Sequence, residues 1–390
     1  MKQGCEIKKL GEVCEKLTDG SHNPPKGILH SNYVMLSSQN VYNDNLVLDD
    51  VRFLHEDDFL REDKRTCVRE GDVLLTIVGT IGRSAVFTQN INVTLQRSVA
   101  VLRPHINIIS RFLMYCLIGK NTLLNEEAHG IAQKGIYLKQ LAQIPIPVPP
   151  LPVQEQIVSE LDLLSGIIEK KREQLKELDA LAQSIFYDMF GDPITNEKGW
   201  EVKKLGEVCE SVSYGTSNSS TENGEYKYLR MNNITYSGHI DITDIKYIDV
   251  SDDEYEKYVV RKGDILFNRT NSKDLVGKTA LFNFEEEMII AGYIIRVRVN
   301  QDSIIPTFVV KWLNTPLMKS YFKNICKGAV NQSNINSKEL KNIPISIPPL
   351  PLQRQFASKI EAIERQKELI KQSISETETL FNARMQEHFG

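Results

Sequence analysis

The sequence predicts an α+β protein in which two pseudo-symmetric, mixed α/β domains are separated by two long antiparallel coiled-coil helices. Three observations lead to this fold class. The chain repeats itself once, each globular half closes with a proline-rich stretch, and a long segment with helical periodicity follows each of these stretches. We expect domain 1 over residues 1–150, helix 1 over 151–191, domain 2 over 192–350 and helix 2 over 351–390.

The internal repeat consists of four matched blocks in the same order. Residues 6–15 (EIKKLGEVCE) return as residues 201–210 (EVKKLGEVCE), with nine of ten positions identical. The other blocks are a Gly-Asp strand, a short glycine-containing segment and the proline-rich exit, found at 71–75 and 263–267, at 81–87 and 276–282, and at 144–154 and 343–353. A period of about half the chain is too long for a solenoid, so it indicates duplication of one domain plus one helix.

The segments between the matched blocks differ between the halves. Residues 19–25 (DGSHNPP) have no visible counterpart in residues 214–220 (YGTSNSS). Because loops carry binding residues on a shared scaffold, this pattern indicates two copies of one frame that present different binding surfaces.

Each long periodic segment carries apolar residues at alternating spacings of four and three, as in a coiled-coil seam. In helix 1 these residues are Ile157, Leu161, Leu164, Ile168, Leu175, Leu178, Ala182, Ile185 and Met189. In helix 2 they are Phe356, Ile360, Ile363, Ile370, Ile374 and Phe381, and the last turns drift from this frame to Met385 and Phe389. Lys171 and Lys367 interrupt the two seams. The pattern favours two helices that pack against each other; the alternative is that each helix packs on its own domain.

Composition excludes several classes of protein. Of the 390 residues, 41% are hydrophobic and 25% are charged, which excludes a disordered or low-complexity chain. No apolar run approaches a membrane span, the first six residues lack the apolar core of a signal peptide, and the six cysteines form no CxxC pair. We therefore expect a cytoplasmic protein with reduced thiols and no membrane contact.

The net charge of −4 does not favour nucleic acid as a partner of the isolated chain. The acidic excess is concentrated in residues 151–191, which hold four basic and eight acidic side chains. If the protein binds DNA, we expect another subunit to supply much of the attraction to phosphate.

Two globular domains that each close with such a proline-rich stretch and a long helix resemble the specificity subunit of type I restriction-modification enzymes. The most specific motif is residues 144–156 (IPIPVPPLPVQEQ) with its repeat at 343–355 (IPISIPPLPLQRQ), and the resemblance covers the whole chain. It implies two target-recognition domains, each of which reads one half of a split sequence in double-stranded DNA. It also implies two antiparallel helices that dock two methyltransferase subunits, with restriction (translocase-nuclease) subunits joining the complex.

The chain lacks the motifs expected of an enzyme. Residues 23–26 (NPPK) nearly match the Asn-Pro-Pro-aromatic motif of amino-methyltransferases, but a lysine replaces the aromatic residue and no glycine-rich turn for S-adenosylmethionine accompanies it. There is no phosphate-binding GxxxxGK[ST] loop and no HExxH helix. We expect no catalysis, no cofactor and no metal; the alternatives are a scaffold that binds methyltransferase without reading DNA and an enzyme that acts on DNA alone.

Polar loop residues are the candidates for DNA contact. Arginine pairs with guanine and asparagine with adenine through two hydrogen bonds each, whereas Thr, Ser and Lys suit phosphates. In domain 1 the candidates are Thr18, Ser21, His22, Ser37, Ser38, Gln39, Thr76, Thr80, Arg83, Gln96, Arg97 and Gln133. In domain 2 they are Tyr214, Thr216, Ser217, Asn218, Arg230, Asn232, Asn233, Asn268, Arg269, Thr270, Asn271, Ser272, Lys273, Lys278 and Gln332.

Overall fold

A computed structural model describes residues 5–130, 134–329 and 332–390. The chain divides into two compact units. The first unit comprises Met1–Arg172 and Gln372–Gly390, and the second comprises Glu173–Lys371. Each unit therefore contains one globular domain and segments of both long helices.

The elements of the first repeat alternate short strands with short helices. Its strands are β1 (Glu6–Lys9), β2 (Cys14–Asp19), β3 (Tyr33–Leu36), β4 (Val41–Tyr42), β5 (Asn45–Leu46), β6 (Arg52–Phe53), β7 (Val73–Thr76), β8 (Ser84–Val86), β9 (Asn92–Leu95), β10 (Val99–Pro104) and β11 (Pro145–Val148). Its helices are α1 (Leu10–Val13), α2 (Glu56–Thr66), α3 (Ser110–Gly119), α4 (Asn121–Glu126), α5 (Leu138–Leu141) and the long α6 (Leu151–Phe190).

The second repeat has a similar series of elements. Its strands are β12 (Glu201–Lys204), β13 (Cys209–Tyr214), β14 (Tyr226–Leu229), β15 (Lys246–Ile248), β16 (Val259–Val260), β17 (Ile265–Asn268), β18 (Thr270–Asn271), β19 (Thr279–Leu281), β20 (Met288–Ile290), β21 (Ile294–Val299), β22 (Lys327–Ala329), β23 (Gln332–Asn334) and β24 (Pro344–Ile347). Its helices are α7 (Asp252–Tyr258), α8 (Pro306–Leu313), α9 (Pro316–Ile325), α10 (Ser337–Lys341) and the long α11 (Leu350–Phe389), with 3-10 turns at Leu205–Val208 and Met231–Asn233.

The two domains share one topology. The main sheet has the order β2-β10-β7-β8 in the first domain and β13-β21-β17-β19 in the second, and both are antiparallel. A second sheet contains one parallel pair, β3 with β9 and β14 with β20. The first strand of each domain pairs with the proline-rich exit strand, β1 with β11 and β12 with β24. These elements confirm the predicted α+β class and the duplication.

The repeated Gly-Asp block forms an ion pair inside each domain. The Asp72 carboxylate accepts two hydrogen bonds from the Arg103 guanidinium, both at 2.8 Å, and the Asp264 carboxylate accepts two from Arg298 at 2.7 and 3.0 Å. Both carboxylates are buried. Bidentate pairing compensates for the removal of these charges from water, so the block is part of the scaffold.

A buried glutamine fixes the start of each long helix to its domain. The Gln154 side chain accepts from the amide of Ile109 (3.0 Å) and donates to the carbonyls of Asn107 (3.0 Å) and Pro149 (2.9 Å). In the second repeat Gln353 makes the same three kinds of bond, and both side chains are fully buried. The glutamine of the repeated PPLPxQ motif therefore orients the helix that follows.

The long helices pair antiparallel within each unit. In the first unit Glu160 of α6 forms an ion pair with Arg384 of α11 (2.8 Å). In the second unit the ring of Phe356, near the start of α11, lies 5.8 Å from that of Phe186 and 5.0 Å from that of Phe190, near the end of α6. The predicted pairing of the two helices is confirmed.

The apolar residues of the long helices also pack against the cores of the globular domains. Each helix therefore contacts both the other helix and a domain. Ile157 and Leu161 lie in one hydrophobic cluster with α3 and the main sheet of the first domain. One detail of the predicted seam is wrong: Phe186 and Phe190 are the buried residues at the end of α6, whereas Ile185 and Met189 are only half-buried. An α-helix has 3.6 residues per turn, so its buried face drifts from a 3.5-residue repeat.

The long helices are about 60 Å in length, since each has 40 residues with a rise of 1.5 Å. Charged residues recur along both of them. A helix that crosses a bilayer needs about 20 mainly apolar residues. None of the helices in the described ranges meets that requirement.

The lysine that interrupts each seam has polar partners. Lys171 donates to Ser373 and, at 3.3 Å, to the hydroxyl of Thr377. Lys367 is 2.7 Å from an oxygen of Asp179 and 3.2 Å from one of Glu364, and the His239 ring nitrogen is 3.3 Å from its ammonium group.

We expect replacement of the buried glutamine to destabilise its unit. Gln154→Leu removes three hydrogen bonds and leaves one amide and two carbonyls without that partner, so the free energy of unfolding should fall by about 2–4 kcal/mol. Urea unfolding of the full chain measures this change. The exposed Gln156 is two residues further along the same helix, and Gln156→Leu should change stability by less than about 0.5 kcal/mol. Equal effects of the two substitutions would contradict the role of Gln154.

We also expect a pH dependence that originates at His239. Burial lowers the pKa of His239 below its usual 6.5, and Lys367, Lys311 and Lys371 lower it further, while Glu364 raises it. The unfolded state therefore binds the proton more tightly, and the contribution of neutral His239 to stability is complete above pH 6.5 and is lost as pH falls through and below that value. Urea unfolding at pH 7 and pH 5 should show a smaller acid loss for His239→Gln than for the unmodified chain. The exposed His55 provides the control, because His55→Gln should leave the acid loss unchanged; an unchanged loss in His239→Gln would refute the assignment.

Candidate nucleic-acid interface

The loops that carry the candidates of the first domain lie at one edge of its sheets. Neighbouring strands of β2-β10-β7-β8 are antiparallel, so the carboxyl ends of β2 and β7 lie beside the amino ends of β10 and β8. The parallel strands β3 and β9 end at the same edge. There the amide of Gln96 donates to the carbonyl of Leu36 (2.8 Å), and the amide of Ser38 donates to the hydroxyl of Ser98 (3.1 Å). We call residues 18–22, 37–40, 76–83 and 96–98 the first loop edge.

The candidates at the first loop edge differ in exposure. The exposed side chains are those of His22, Gln39, Thr80 and Arg97. The half-buried ones are Thr18, Ser37, Ser38, Arg83 and Gln96. Ser21 and Thr76 are buried, and Gln133 lies outside the described residues. The hydroxyl of Thr76 accepts from the amide of Arg83 (3.0 Å), so it stabilises the turn between β7 and β8.

Arg65 is a further basic residue at this edge that the sequence did not point to. It lies in the last turn of α2, and its guanidinium donates to the carbonyl of Asp19 (2.8 Å) and pairs with the Asp19 carboxylate. His22 is hydrogen-bonded to the other oxygen of that carboxylate (2.8 Å). Half of the Arg65 side chain remains exposed, so it can also face an anion. A helical residue carries no loop pattern, and the packing of α2 places Arg65 here: Phe59 is buried against Met35 and Leu54, and Thr66 is hydrogen-bonded to Thr94.

The second domain has an equivalent edge. The carboxyl ends of β13 and β17 lie beside the amino ends of β21 and β19, and the parallel strands β14 and β20 end there too. The amide of Thr216 donates to the carbonyl of Ile290 (2.9 Å), as the amide of Ser21 donates to that of Leu95 (2.8 Å) in the first domain. We call residues 214–218, 230–233, 268–278 and 291–293 the second loop edge.

This equivalence corrects one expectation from the sequence. Residues 19–21 and 214–216, which showed no visible correspondence, occupy the same place in the two domains. Gly20 and Gly215 explain why: a Cβ at Gly20 would lie 2.0 Å from the carbonyl oxygen of Leu95, and one at Gly215 would lie 2.1 Å from that of Ile290. Only glycine permits this approach of two backbones, so a single shared residue was the sequence signal.

The candidates at the second loop edge also differ in exposure. The exposed side chains are those of Tyr214, Ser217, Asn218, Asn232 and Lys273. The half-buried ones are Arg230, Arg269, Asn271 and Ser272. The buried ones are Thr216, Asn233, Asn268, Thr270 and Lys278. Gln332 begins β23, and its side chain lies outside the described part of the chain. Tyr293, which the sequence did not suggest, is 52% exposed beside Arg269, whose amide donates to its carbonyl (3.0 Å).

Arg269 is held in place by an aromatic ring. Its guanidinium carbon lies 4.8 Å from the centre of the Tyr214 ring, and one guanidinium nitrogen donates to the carbonyl of Gly292 (3.2 Å). The Tyr214 hydroxyl accepts in turn from the amide of Ser337 (2.8 Å). A planar guanidinium fixed in this way suits recognition by two parallel hydrogen bonds.

Several candidates have internal partners that the sequence did not reveal. The Lys278 ammonium donates to the carbonyl of Met231 (3.0 Å), and the buried Lys319 ammonium donates to that of Gly277 (2.6 Å). Burial lowers the pKa of Lys278, and burial together with the nearby Lys278 charge lowers the pKa of Lys319 to about 7. These lysines support the loops from within. A buried side chain cannot reach a base or a phosphate in this conformation. The exposed and half-buried candidates are therefore the ones that can contact DNA.

Comparison with known proteins identifies the family. A family model described as the type I restriction modification DNA specificity domain matches residues 2–179 and again residues 197–379. The chain belongs to this family. Each repeat is one DNA specificity domain together with most of its long helix, and the family comprises the non-catalytic specificity subunits of these enzymes.

Named relatives agree with this family. The chain is 35% identical over 161 residues to the putative type I restriction enzyme MjaX specificity subunit of Methanocaldococcus jannaschii. This alignment covers 40% of this chain and 38% of that protein. The chain is 23% identical over 283 residues to the type I restriction enzyme EcoKI specificity subunit of Escherichia coli. This alignment covers 67% of this chain and 60% of that protein. The alignments thus span less than two thirds of either relative.

A solved structure supports the fold. The S subunit of a type I restriction-modification system from M. genitalium aligns over 100% of this chain and 98% of its own, with a TM-score of 0.58 and 13% sequence identity. At this identity the likeness concerns the fold, and it agrees with the two specificity domains and the two long helices.

Proposed function

We propose that the chain is the DNA-reading subunit of a type I restriction-modification complex and that each loop edge reads one half of a bipartite, asymmetric target in double-stranded DNA. The observation that carries this proposal is that equivalent positions of the two edges hold different side chains on one backbone frame. Ser21, His22 and Arg97 of the first edge correspond to Thr216, Ser217 and Gly292 of the second. Different donor and acceptor sets at the same positions suit different base sequences.

The two arginines are the strongest candidates for base readout. Arg97 is exposed at the first loop edge, and Arg269 is half-buried against Tyr214 at the second. Each can pair with the O6 and N7 atoms of guanine. The exposed Ser, Thr, Asn and Lys residues nearby suit phosphate contacts. Because the whole chain carries a net charge of −4, partner subunits supply much of the attraction to phosphate in this proposal.

The long helices are proposed to dock two methyltransferase subunits, one for each repeat, and restriction subunits join them. Leucines with exposed side chains support this role. In the first unit Leu163 is 65% exposed and Leu380 is 47% exposed, and in the second unit Leu181 and Leu369 are 48% and 67% exposed. Docking of a partner on the helices would remove these apolar side chains from water, which is favourable. In this proposal residues 1–150 and 192–350 read DNA, and residues 151–191 and 351–390 dock the partners.

A scaffold that binds methyltransferase without reading DNA is the alternative function. It predicts no need for different polar side chains at equivalent loop positions. A gel shift of the reconstituted complex separates the two functions, because only a DNA-reading subunit gives the complex sequence-specific binding.

We expect single arginine substitutions to affect one half-site each. Arg97→Ala should relax one base position of the half-site read by the first domain, and Arg269→Ala one position of the other, each at a cost of about 1–3 kcal/mol in discrimination. Methylation mapping of DNA treated with the complex of this chain and its methyltransferase measures both effects. Arg69 is exposed before the amino end of β7 and belongs neither to a loop edge nor to a long helix, so Arg69→Ala should leave the motif unchanged. An unaltered motif in both loop variants would contradict the assigned readout.

A further inference from the structure

In each domain a short hairpin follows one segment of the loop edge. We call this segment, residues 37–40 in the first domain and 230–233 in the second, the reading segment. In the first domain β4 and β5 form the hairpin, with Asp44 at its tip. In the second domain a bridge between Ile234 and Ile240 closes a hairpin with Gly238 at its tip. Asp44 and Gly238 both have positive φ (61° and 85°). The two hairpins therefore have corresponding tips although their sequences differ.

A buried asparagine joins each hairpin to the reading segment before it. The side-chain oxygen of Asn40 accepts from the amide of Ser37 (2.9 Å), and its amide group donates to the carbonyl of Val47 (3.0 Å). In the second domain the side-chain oxygen of Asn233 accepts from the amide of Arg230 (2.8 Å), and its amide group donates to the carbonyl of Asp241 (2.8 Å). The segments 37–40 and 230–233 are thus fixed to the hairpins, which explains why Asn233 points inward and not to solvent.

In the first unit the hairpin tip reaches the long helix through one arginine. The Arg111 guanidinium, from α3, is 2.8 Å from the Asp44 carboxylate and 2.7 Å from the Asp162 carboxylate of α6. The hydroxyl of Tyr115 donates to the same Asp162 oxygen (2.7 Å). Burial and this hydrogen bond raise the pKa of Tyr115, so the hydroxyl remains a donor at neutral pH. One cation therefore holds two carboxylates from different elements.

In the second unit different residues make the corresponding connection. The Lys367 ammonium of α11 donates to the ring of neutral His239, next to the hairpin tip (3.3 Å). The Glu364 carboxylate, also on α11, holds Lys367 at 3.2 Å and lies 3.7 Å from the His239 ring, beyond hydrogen-bond distance. Lys311 of α8 forms an ion pair with Glu364 (3.0 Å). In both units, then, a core helix supplies a cation, and the long helix supplies a carboxylate.

We infer that Asp162 and Glu364 are positioning residues for base readout: each anchors a hairpin to the long helix and thereby sets the place of the reading segment 37–40 or 230–233. This inference rests on the proposed function. The path runs from the long helix through the ion cluster, the hairpin and the buried asparagine to the loop edge. A displacement of the helix is thereby passed to the reading segment, and the two domains have separate connections of this kind.

The test uses the complex of the full chain with its methyltransferase. Affinities are measured for the target and for targets with one base changed in either half-site. Asp162→Asn should reduce discrimination in the first half-site about tenfold and leave the second unchanged, and Glu364→Gln should do the reverse. Binding to unrelated DNA should stay constant, which a general loss of folded protein would not produce. Glu70 is an exposed carboxylate in the turn before β7 and belongs neither to a loop edge nor to a long helix, so Glu70→Gln is the control with no expected effect.

A double-substitution cycle tests the connection itself. If Asp44 and Asp162 act through the shared Arg111, then Asp44→Asn alone should lower first-half-site discrimination, and the double variant should lose little more than either single one. Full discrimination in both Asp162→Asn and Glu364→Gln, or independent multiplication of the Asp44 and Asp162 effects, would overturn the inference and leave the proposed function intact. A complex of the unmodified chain that does not discriminate would instead refute the proposed function and this inference with it.

Discussion

The hydrophobic core of each unit is closed by a helix that comes from the other repeat, and the rest of the structure depends on this exchange. In the first unit Met385 and Phe389 of α11 lie in the same cluster as Phe112 of α3, and the Phe389 and Phe112 rings are 5.5 Å apart. The approach is close: a Cβ on Gly119 would lie 2.7 Å from that of Phe389. Burial of one such aromatic side chain contributes about 1.5–3 kcal/mol, so neither domain can lose the partner helix without a large decrease in stability.

The same exchange explains why scaffold and loops have diverged differently. Gln154 and Gln353 each hold a domain to its long helix, whereas the Gly-Asp ion pairs and the exit strands hold each domain together. A change in any of them would disturb the frame of its unit. The loop edges follow the carboxyl ends of β7 and β17, whereas the Gly-Asp blocks lie at their amino ends. The backbone hydrogen bonds of these strands do not depend on the loop side chains. Side chains such as Arg97 and Arg269 can therefore differ between the domains without a change in the backbone frame, as the proposed reading of two different half-sites requires.

The sequence predicted the frame because the frame repeats. Matched blocks, a proline-rich exit and a 4-3 apolar pattern depend on local chemistry. In the structure the exits form β11 and β24, and the periodic segments form α6 and α11. The candidate site was only partly predictable. Residue type marked Thr76, Asn233 and Lys278 as possible DNA contacts, but tertiary folding turns them inward onto the amide of Arg83, the carbonyl of Asp241 and the carbonyl of Met231. Arg65 was not predicted for the same reason, since the packing of α2, with Phe59 buried against Met35 and Leu54, brings this arginine to Asp19.

A fragment of residues 1–191 tests most directly the central claim, that the chain is two interchangeable units that each read one half-site. Residues 173–191 are the repeat counterpart of 372–390, with Phe186 in the place of Met385 and Phe190 in that of Phe389. Two copies of the fragment can therefore close each other's cores as a two-fold dimer. The measurement is methylation mapping of DNA by this fragment with the methyltransferase, together with the mass of the complex. The account predicts a dimer that methylates an inverted repeat of one half-site; a monomer, or a dimer that still methylates the asymmetric target, would contradict it.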